Sequence, residues 1–265
     1  MLTLTYPAID PVLIEIGPFA IRWYALSYVA GILMAWRYMI WLSQRSPTGI
    51  TREHVDDFVV WATLGIILGG RLGYVIFYKP GYYLQNPLEV LAVWQGGMSF
   101  HGGLLGVIVA IWWFCHRRGY SWIAVGDVVA CTAPVGLFLG RIANFINGEL
   151  FGRVTDSSLG MIFPGGGPLP RHPSQLYEAA LEGLVLFLVL FWLARRPVYI
   201  AKQGLLSGVF LAGYAIGRTA AEVFRQPDAH IGFLTIGTTM GQWLSMPLFI
   251  AGVWLIVHSR RHDTA

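Results

Sequence analysis

Residues Gly140–Gly152 read GRIANFINGELFG. A long apolar run gives way to a polar loop at this stretch, which sets Arg141, Asn144, Asn147 and Glu149 at the edge of a hydrocarbon slab. A charge at that depth is costly unless it has a partner or a purpose. These side chains form the nucleus of a candidate site, and the remaining sequence is read by whether it points to them.

The chain of 265 residues is 55% hydrophobic and 12% charged, with a mean hydropathy of +0.58. So little polar surface cannot enclose so much apolar material in water. The expected fold class is an all-α membrane protein, a single transmembrane domain over residues 1–265. Its 11 Trp and 12 Tyr suit interfacial belts, and its 32 Gly suit closely packed helices. Cys115 lies near the end of one apolar run and Cys131 inside the next, so both read as packing residues. The net charge is +4, but the basic residues fall in short loops rather than a stripe. That is a topology signal, and no nucleic-acid partner is expected. Residues 1–18 have no Lys or Arg before their first apolar residues and carry Pro7, Pro11 and Pro18. They read as an ordered segment along the membrane surface, without the basic start of a cleaved signal peptide.

A span needs roughly twenty residues to cross ~30 Å of hydrocarbon. Suitable runs fall at Phe19–Leu42, Phe58–Tyr78, Phe100–Cys115, Ile123–Gly140, Leu176–Ala194, Leu205–Phe224 and Met240–Val257. About seven transmembrane helices are expected. One set of loops holds Arg45, Arg52, Arg117, Arg118, Arg195, Arg196, Lys202, Arg260 and Arg261; the other holds Lys79, Arg153 and Arg171. The positive-inside bias puts the C-terminus in the cytoplasm and the N-terminus outside. Phe151–Pro173, polar and rich in Gly and Pro, is then a small extracytoplasmic cap between spans four and five, and Lys79–Ser99 lies at the headgroup layer.

That orientation sets depth, because a helix rises ~1.5 Å per residue. Arg71 and Arg218 each come roughly 21 Å from the cytoplasmic side of their spans. Arg141 ends the fourth span, His101 starts the third, and Tyr24 lies near the outer start of the first. Five spans send their unusual polar residues to one outer layer.

Two readings compete at each feature. Tyr214, Arg218, Glu222 and Arg225 fall on one helix face, as a structural ion pair or as part of a site. Arg71, Arg141, Arg218 and Arg225 exceed the nearby Glu149 and Glu222 by two, which suggests a missing anion, and arginine's planar fork suits phosphate. His101 is either a satisfied interfacial histidine or a general base with glycines beside it. Gly96-Gly97 and Gly102-Gly103 are either turn and packing glycines or room for a substrate. No HExxH or CxxC pair supports a metal, GGGP lacks the Lys-Ser/Thr of a P-loop, and no serine sits in a GxSxG setting. No metal or cofactor is expected.

GRIANFINGELFG, RHPSQLYEA at Arg171–Ala179, GGMSFHGG at Gly96–Gly103 and YAIGRTAAEVFRQPD at Tyr214–Asp228 together resemble the blocks of the prolipoprotein diacylglyceryl transferase family, in the same order. The resemblance covers essentially the whole chain. It implies a multi-pass enzyme of the bacterial inner membrane, its active site toward the extracytoplasmic leaflet. The implied reaction moves the diacylglyceryl group of phosphatidylglycerol to the lipobox cysteine of a preprolipoprotein signal peptide. A thioether forms and glycerol phosphate leaves. Carried over on these motifs, the expected catalytic residues are His101, Arg218, Arg141 and Tyr24. The expected phosphatidylglycerol-binding residues are Arg141, Asn144, Glu149, Gly152, Arg71, Tyr214, Glu222, Gly96 and Gly102. The partners are phosphatidylglycerol, the lipobox-bearing signal peptide and membrane lipids.

Overall fold

A computed structural model describes residues 4–7, 9–17, 19–46, 49–227 and 232–261. Pro18, Asp228 and the side chains of Arg260 and Arg261 lie outside the described residues. In chain order the main elements are strands β1 (Leu4–Thr5), β2 (Val12–Ile16) and β3 (Phe19–Arg22), helices α1 (Trp23–Ser43), α2 (Arg52–Phe77), α3 (Pro80–Gln85), α4 (Phe100–Arg118) and α5 (Trp122–Ile146), strand β4 (Met161–Ile162), and helices α6 (Ser174–Ala194), α7 (Leu205–Glu222) and α8 (Met240–Arg261). Two compact units result, Met1–Tyr38 with Asp127–Ala265, and Met39–Gly126.

The protein is mostly helical, and α1, α2, α5, α6 and α8 are long and apolar enough to cross a membrane. The remaining long helices, α4 and α7, are diluted by His101, His116 and Arg117 in the first case and by Arg218 and Glu222 in the second. Large apolar side chains such as Leu33, Leu68, Val109, Val189 and Ile250 stand exposed on the helices, the surface that hydrocarbon covers rather than water.

Glycines let the helices meet backbone to backbone. Within the second unit, a Cβ on Gly69 or Gly106 would overlap the facing carbonyl of Gly102 or Gly65. Within the first, a Cβ on Gly252 would come 2.7 Å from the Gly208 carbonyl oxygen. Contacts this close favour small residues in apolar surroundings.

Several boundaries differ from the sequence expectation, among them those of the first, second and fourth spans. The first helix begins at Trp23 rather than Phe19, because Phe19–Arg22 pairs antiparallel with Val12–Ile16 as a hairpin. The second begins at Arg52 rather than Phe58, with the Thr51 hydroxyl accepting from the His54 amide at 3.3 Å as its N-cap. The fourth continues through Ile146, so Arg141 and Asn144 sit on the last turns of α5 and not in a loop. Segment 151–173 carries regular pairing: β4 lies parallel to β1, and Arg171 bridges both Val154 and Met161.

Candidate functional site

The last turn of α5 and the turn after it are fastened from several directions. Gly148 ends the helix with a left-handed φ of +67°, the conformation that glycine adopts without steric cost. The Tyr6 hydroxyl reaches the helix-end carbonyls of Phe145 at 2.6 Å, which also accepts the Gly148 amide at 2.9 Å, and of Ile146 at 2.8 Å. Burial raises the Tyr6 phenol above its ordinary pKa, so the neutral hydroxyl remains the donor over an even wider pH range. The Glu149 carboxylate accepts from Asn144 Nδ2 at 2.8 Å and Asn147 Nδ2 at 3.2 Å. From α6, Gln175 Nε2 donates to the Glu149 carbonyl at 2.6 Å, and Ser174 Oγ donates to the Leu150 carbonyl at 3.0 Å. Tyr24 interacts electrostatically with both Glu149 and Arg141. Gly152 is required by close approach: it bridges Arg225, and a Cβ there would come 2.7 Å from the His172 Cβ.

One helical turn before Asn144, Arg141 enters an ion cluster built by α5, α6 and α7. Its Nε lies 2.7 Å from Glu178 Oε2 and its Nη2 lies 3.7 Å from Glu182 Oε2. Arg218 Nη1 lies 3.1 Å from Glu178 Oε1 and 3.8 Å from Glu182 Oε1, and its Nη2 pairs with Glu222. Arg225 Nη1 also lies 3.1 Å from Glu178 Oε1, so Glu178 serves three guanidinium groups. Tyr214, one turn before Arg218, interacts electrostatically with Arg218, Arg141 and Glu182. The middle of α6, Ala179–Val185, is a π-helical segment. Such inserts are uncommon and frequent at functional sites. Here Gly183 in the insert meets α5 so closely that a Cβ would come 2.6 Å from the Phe138 Cβ.

This cluster corrects the sequence-based count of charges. Glu178 and Glu182, absent from that count, stand against Arg141, Arg218 and Arg225 together with Glu222, and the expected excess of two arginines disappears. The cluster is nonetheless asymmetric. The side chains of Glu178 and Glu182 are 0% exposed, whereas Arg141 keeps 17% and Arg218 14%. The two acids are fully buried, and the arginine side chains paired with them stay partly exposed.

Arg71 belongs to the second unit. It is buried, and its donors go to the carbonyls of Glu89, Val90, Gly96 and Gly97, with its plane 5.1 Å from the Tyr83 ring. Four carbonyl partners from one loop make it the support of that loop, in which Gly96 and Gly97 take φ of +84° and +78°. His101 is exposed in the first turn of α4 beside Phe100, a turn capped by Ser99 accepting from the Gly102 amide at 3.2 Å. Gly102 is a packing glycine against Gly69.

The structure thus gathers Arg141, Arg218, Glu222, Tyr214 and Arg225 in one cluster, and Asn144, Glu149 and Gly152 around the adjoining turn. Sequence reasoning missed Gln175, Glu178 and Glu182. The signal was present: two glutamates four residues apart inside an apolar run of membrane length are costly without a role.

The family model described as prolipoprotein diacylglyceryl transferase matches residues 11–258. A phosphatidylglycerol–prolipoprotein diacylglyceryl transferase of Paramagnetospirillum magneticum is 62% identical over 259 residues, covering 97% of this chain and 96% of its own. Relatives of the same name from Rhodospirillum rubrum and Azospirillum brasilense are 59% and 54% identical, covering 98% and 100% of this chain and 96% and 100% of their own. With matches of this identity running nearly end to end, the chain belongs to the prolipoprotein diacylglyceryl transferase family.

Proposed function

We propose that this protein transfers the diacylglyceryl group of phosphatidylglycerol to the lipobox cysteine thiol of a preprolipoprotein, the first step of lipoprotein maturation. A carbon–sulfur bond forms as the carbon–oxygen bond to phosphate breaks, and the electron pair leaves with glycerol phosphate. The observation that carries the site assignment is the asymmetric ion cluster: Arg141 and Arg218 side chains partly exposed, paired with a Glu178 that is fully buried.

The chemistry follows from that asymmetry. A phosphate that meets the cluster encounters Arg141 and Arg218, whose planar forks suit its oxygens. Glu178 and Glu222 hold the guanidinium groups in place beforehand, so little reorganisation is needed as charge grows on the departing phosphate. Preorganised donors of this kind are worth ~10²–10³ in rate each. Asn144 and Glu149, with Gly152 closing the turn, orient the headgroup, and Tyr24 and Tyr214 flank it. For His101, on α4, the family resemblance implies the role of base toward the incoming thiol, which at pKa ~8.5 is only a few per cent thiolate near neutral pH. Arg71 supports the Gly96-Gly97 loop through its carbonyl partners, and it remains among the proposed phosphatidylglycerol-binding residues. Seven spans with the N-terminus outside, the C-terminus in the cytoplasm and segment 151–173 as an outer cap suit a bacterial inner-membrane enzyme working at the extracytoplasmic leaflet.

The test is a detergent reaction of purified protein with labelled phosphatidylglycerol and a lipobox peptide. The expected product is a peptide carrying the diacylglyceryl group in thioether linkage on its cysteine. Equal labelling of a peptide with serine in place of cysteine, or no adduct at all, contradicts the reading.

A further inference from the structure

Gln175 is fully buried, and its two polar atoms are treated unequally. Its Nε2 donates to the Glu149 carbonyl at 2.6 Å, while no protein donor among the described residues reaches its Oε1. Turning the amide over would set two carbonyl oxygens against each other and leave the NH₂ group unpaired instead, so the orientation is fixed by its partner. A buried amide oxygen without a donor is unfavourable. It is therefore a strong acceptor waiting for a hydroxyl or N–H.

Its place in the fold limits which donor that is. Gln175, Glu178 and Glu182 follow at spacings of three and four residues along α6, which puts them on one side of the helix. Gln175 thereby stands between the Glu149 turn that it holds and the carboxylate of Glu178 that holds Arg141. A phosphate held at Arg141 would have Glu178, one helical turn along from Gln175, as its neighbour. In phosphatidylglycerol the phosphate carries a glycerol with two free hydroxyls, each a donor.

We infer that Gln175 Oε1 accepts a hydrogen bond from a headgroup hydroxyl of phosphatidylglycerol and is a specificity-determining residue, selecting anionic lipids whose headgroup carries a hydroxyl. This rests on the transferase reading above. Glu149, shaped by the other end of the same amide, supplies the neighbouring acceptor.

The experiment compares phosphatidylglycerol with phosphatidyl-1-propanol, which keeps the phosphate and chain length but has no headgroup hydroxyl, in the same lipobox-peptide reaction. Wild-type protein is expected to prefer phosphatidylglycerol in kcat/KM. Gln175→Leu is expected to lower that preference about tenfold, the effect of one buried hydrogen bond. Gln175→Met, closer to glutamine in length, gives the same ratio should the leucine variant fail to fold. If both lipids lose rate equally in the folded variants, Gln175 only props the Glu149 turn and the inference is overturned. It is also overturned if wild-type protein shows no preference between the two lipids. Failure of wild-type protein to convert phosphatidylglycerol at all contradicts the transferase reading instead.

Discussion

Arginines are used in two different ways within the first unit. Arg141, Arg218 and Arg225 direct their guanidinium groups at buried carboxylates. Arg153 and Arg171 direct theirs mainly at backbone: Arg153 donates to the carbonyls of Arg225 at 2.9 Å and Glu222 at 3.0 Å, and Arg171 donates to those of Gly166 at 2.7 Å and Gly152 at 3.2 Å, with a longer contact of 3.4 Å to the Gln226 amide oxygen. Each of these two also lies over a ring, Arg153 over Phe233 and Arg171 over Phe151. Carbonyl-bound arginines finish helix ends and shape loops, a role with little left over for a ligand. Carboxylate-bound arginines are neutralised but not used up, because a phosphate can share or replace a carboxylate as partner. The partner, not the arginine, separates scaffold from site.

The comparison can be broken at its strongest point by Glu178→Gln. Three guanidinium groups lose a shared buried anion, and breaking buried pairs typically costs about 3–5 kcal/mol. Thermal unfolding in detergent should drop accordingly and turnover should fall; a variant as stable as wild type would show that the cluster is not held by Glu178. Arg153→Gln should cost less, about 1–2 kcal/mol for two carbonyl bonds, read as faster proteolysis within 151–173 while folded protein keeps its activity. Glu182→Gln should be milder still, because its buried carboxylate accepts no hydrogen bond among the described residues and its ion contacts lie at 3.7–3.8 Å, so little is lost against the cost of keeping that charge buried. A loss equal to that of Glu178→Gln would contradict the ranking.

The smallest expected effect is a pH dependence on the scaffold side. Burial holds His172 below its ordinary pKa, and its Nδ1 lies 3.2 Å from the Tyr177 hydroxyl. Its contribution is complete above the unfolded histidine value of about 6.5 and is lost as pH falls through that value toward the lower folded one. Acidification should loosen segment 151–173 by limited proteolysis, and His172→Phe should flatten that dependence.

Much of this was legible in the sequence, and the misses share physical causes. Apolar runs located the long helices, but hydropathy treats Arg141 and Asn144 as the end of a span, whereas the helix stops only where Asn147-Gly148 supplies the left-handed glycine. Phe19-Ala20-Ile21 is a short apolar run that suits a strand as well as a helix, and pairing with β2 decides it. Glu178 and Glu182 vanished into the average of a strongly apolar run. Arg71 stood out as a buried charge, yet its partners are backbone carbonyls 18–26 residues further on, which no side-chain pattern reveals. His101 was expected at the start of a helix and lies in the first turn of α4.

The central claim is that the carboxylate-held arginines receive the lipid phosphate and the carbonyl-held Arg153 and Arg171 do not. Turnover of phosphatidylglycerol and lipobox peptide by Arg218→Lys and Arg153→Lys, compared in protein shown to be folded, tests it most directly. Both variants keep charge and lose fork geometry. The expected result is a loss of about 10²–10³ for Arg218→Lys and near wild-type turnover for Arg153→Lys; full activity in Arg218→Lys, or equal losses in the two, would contradict the account.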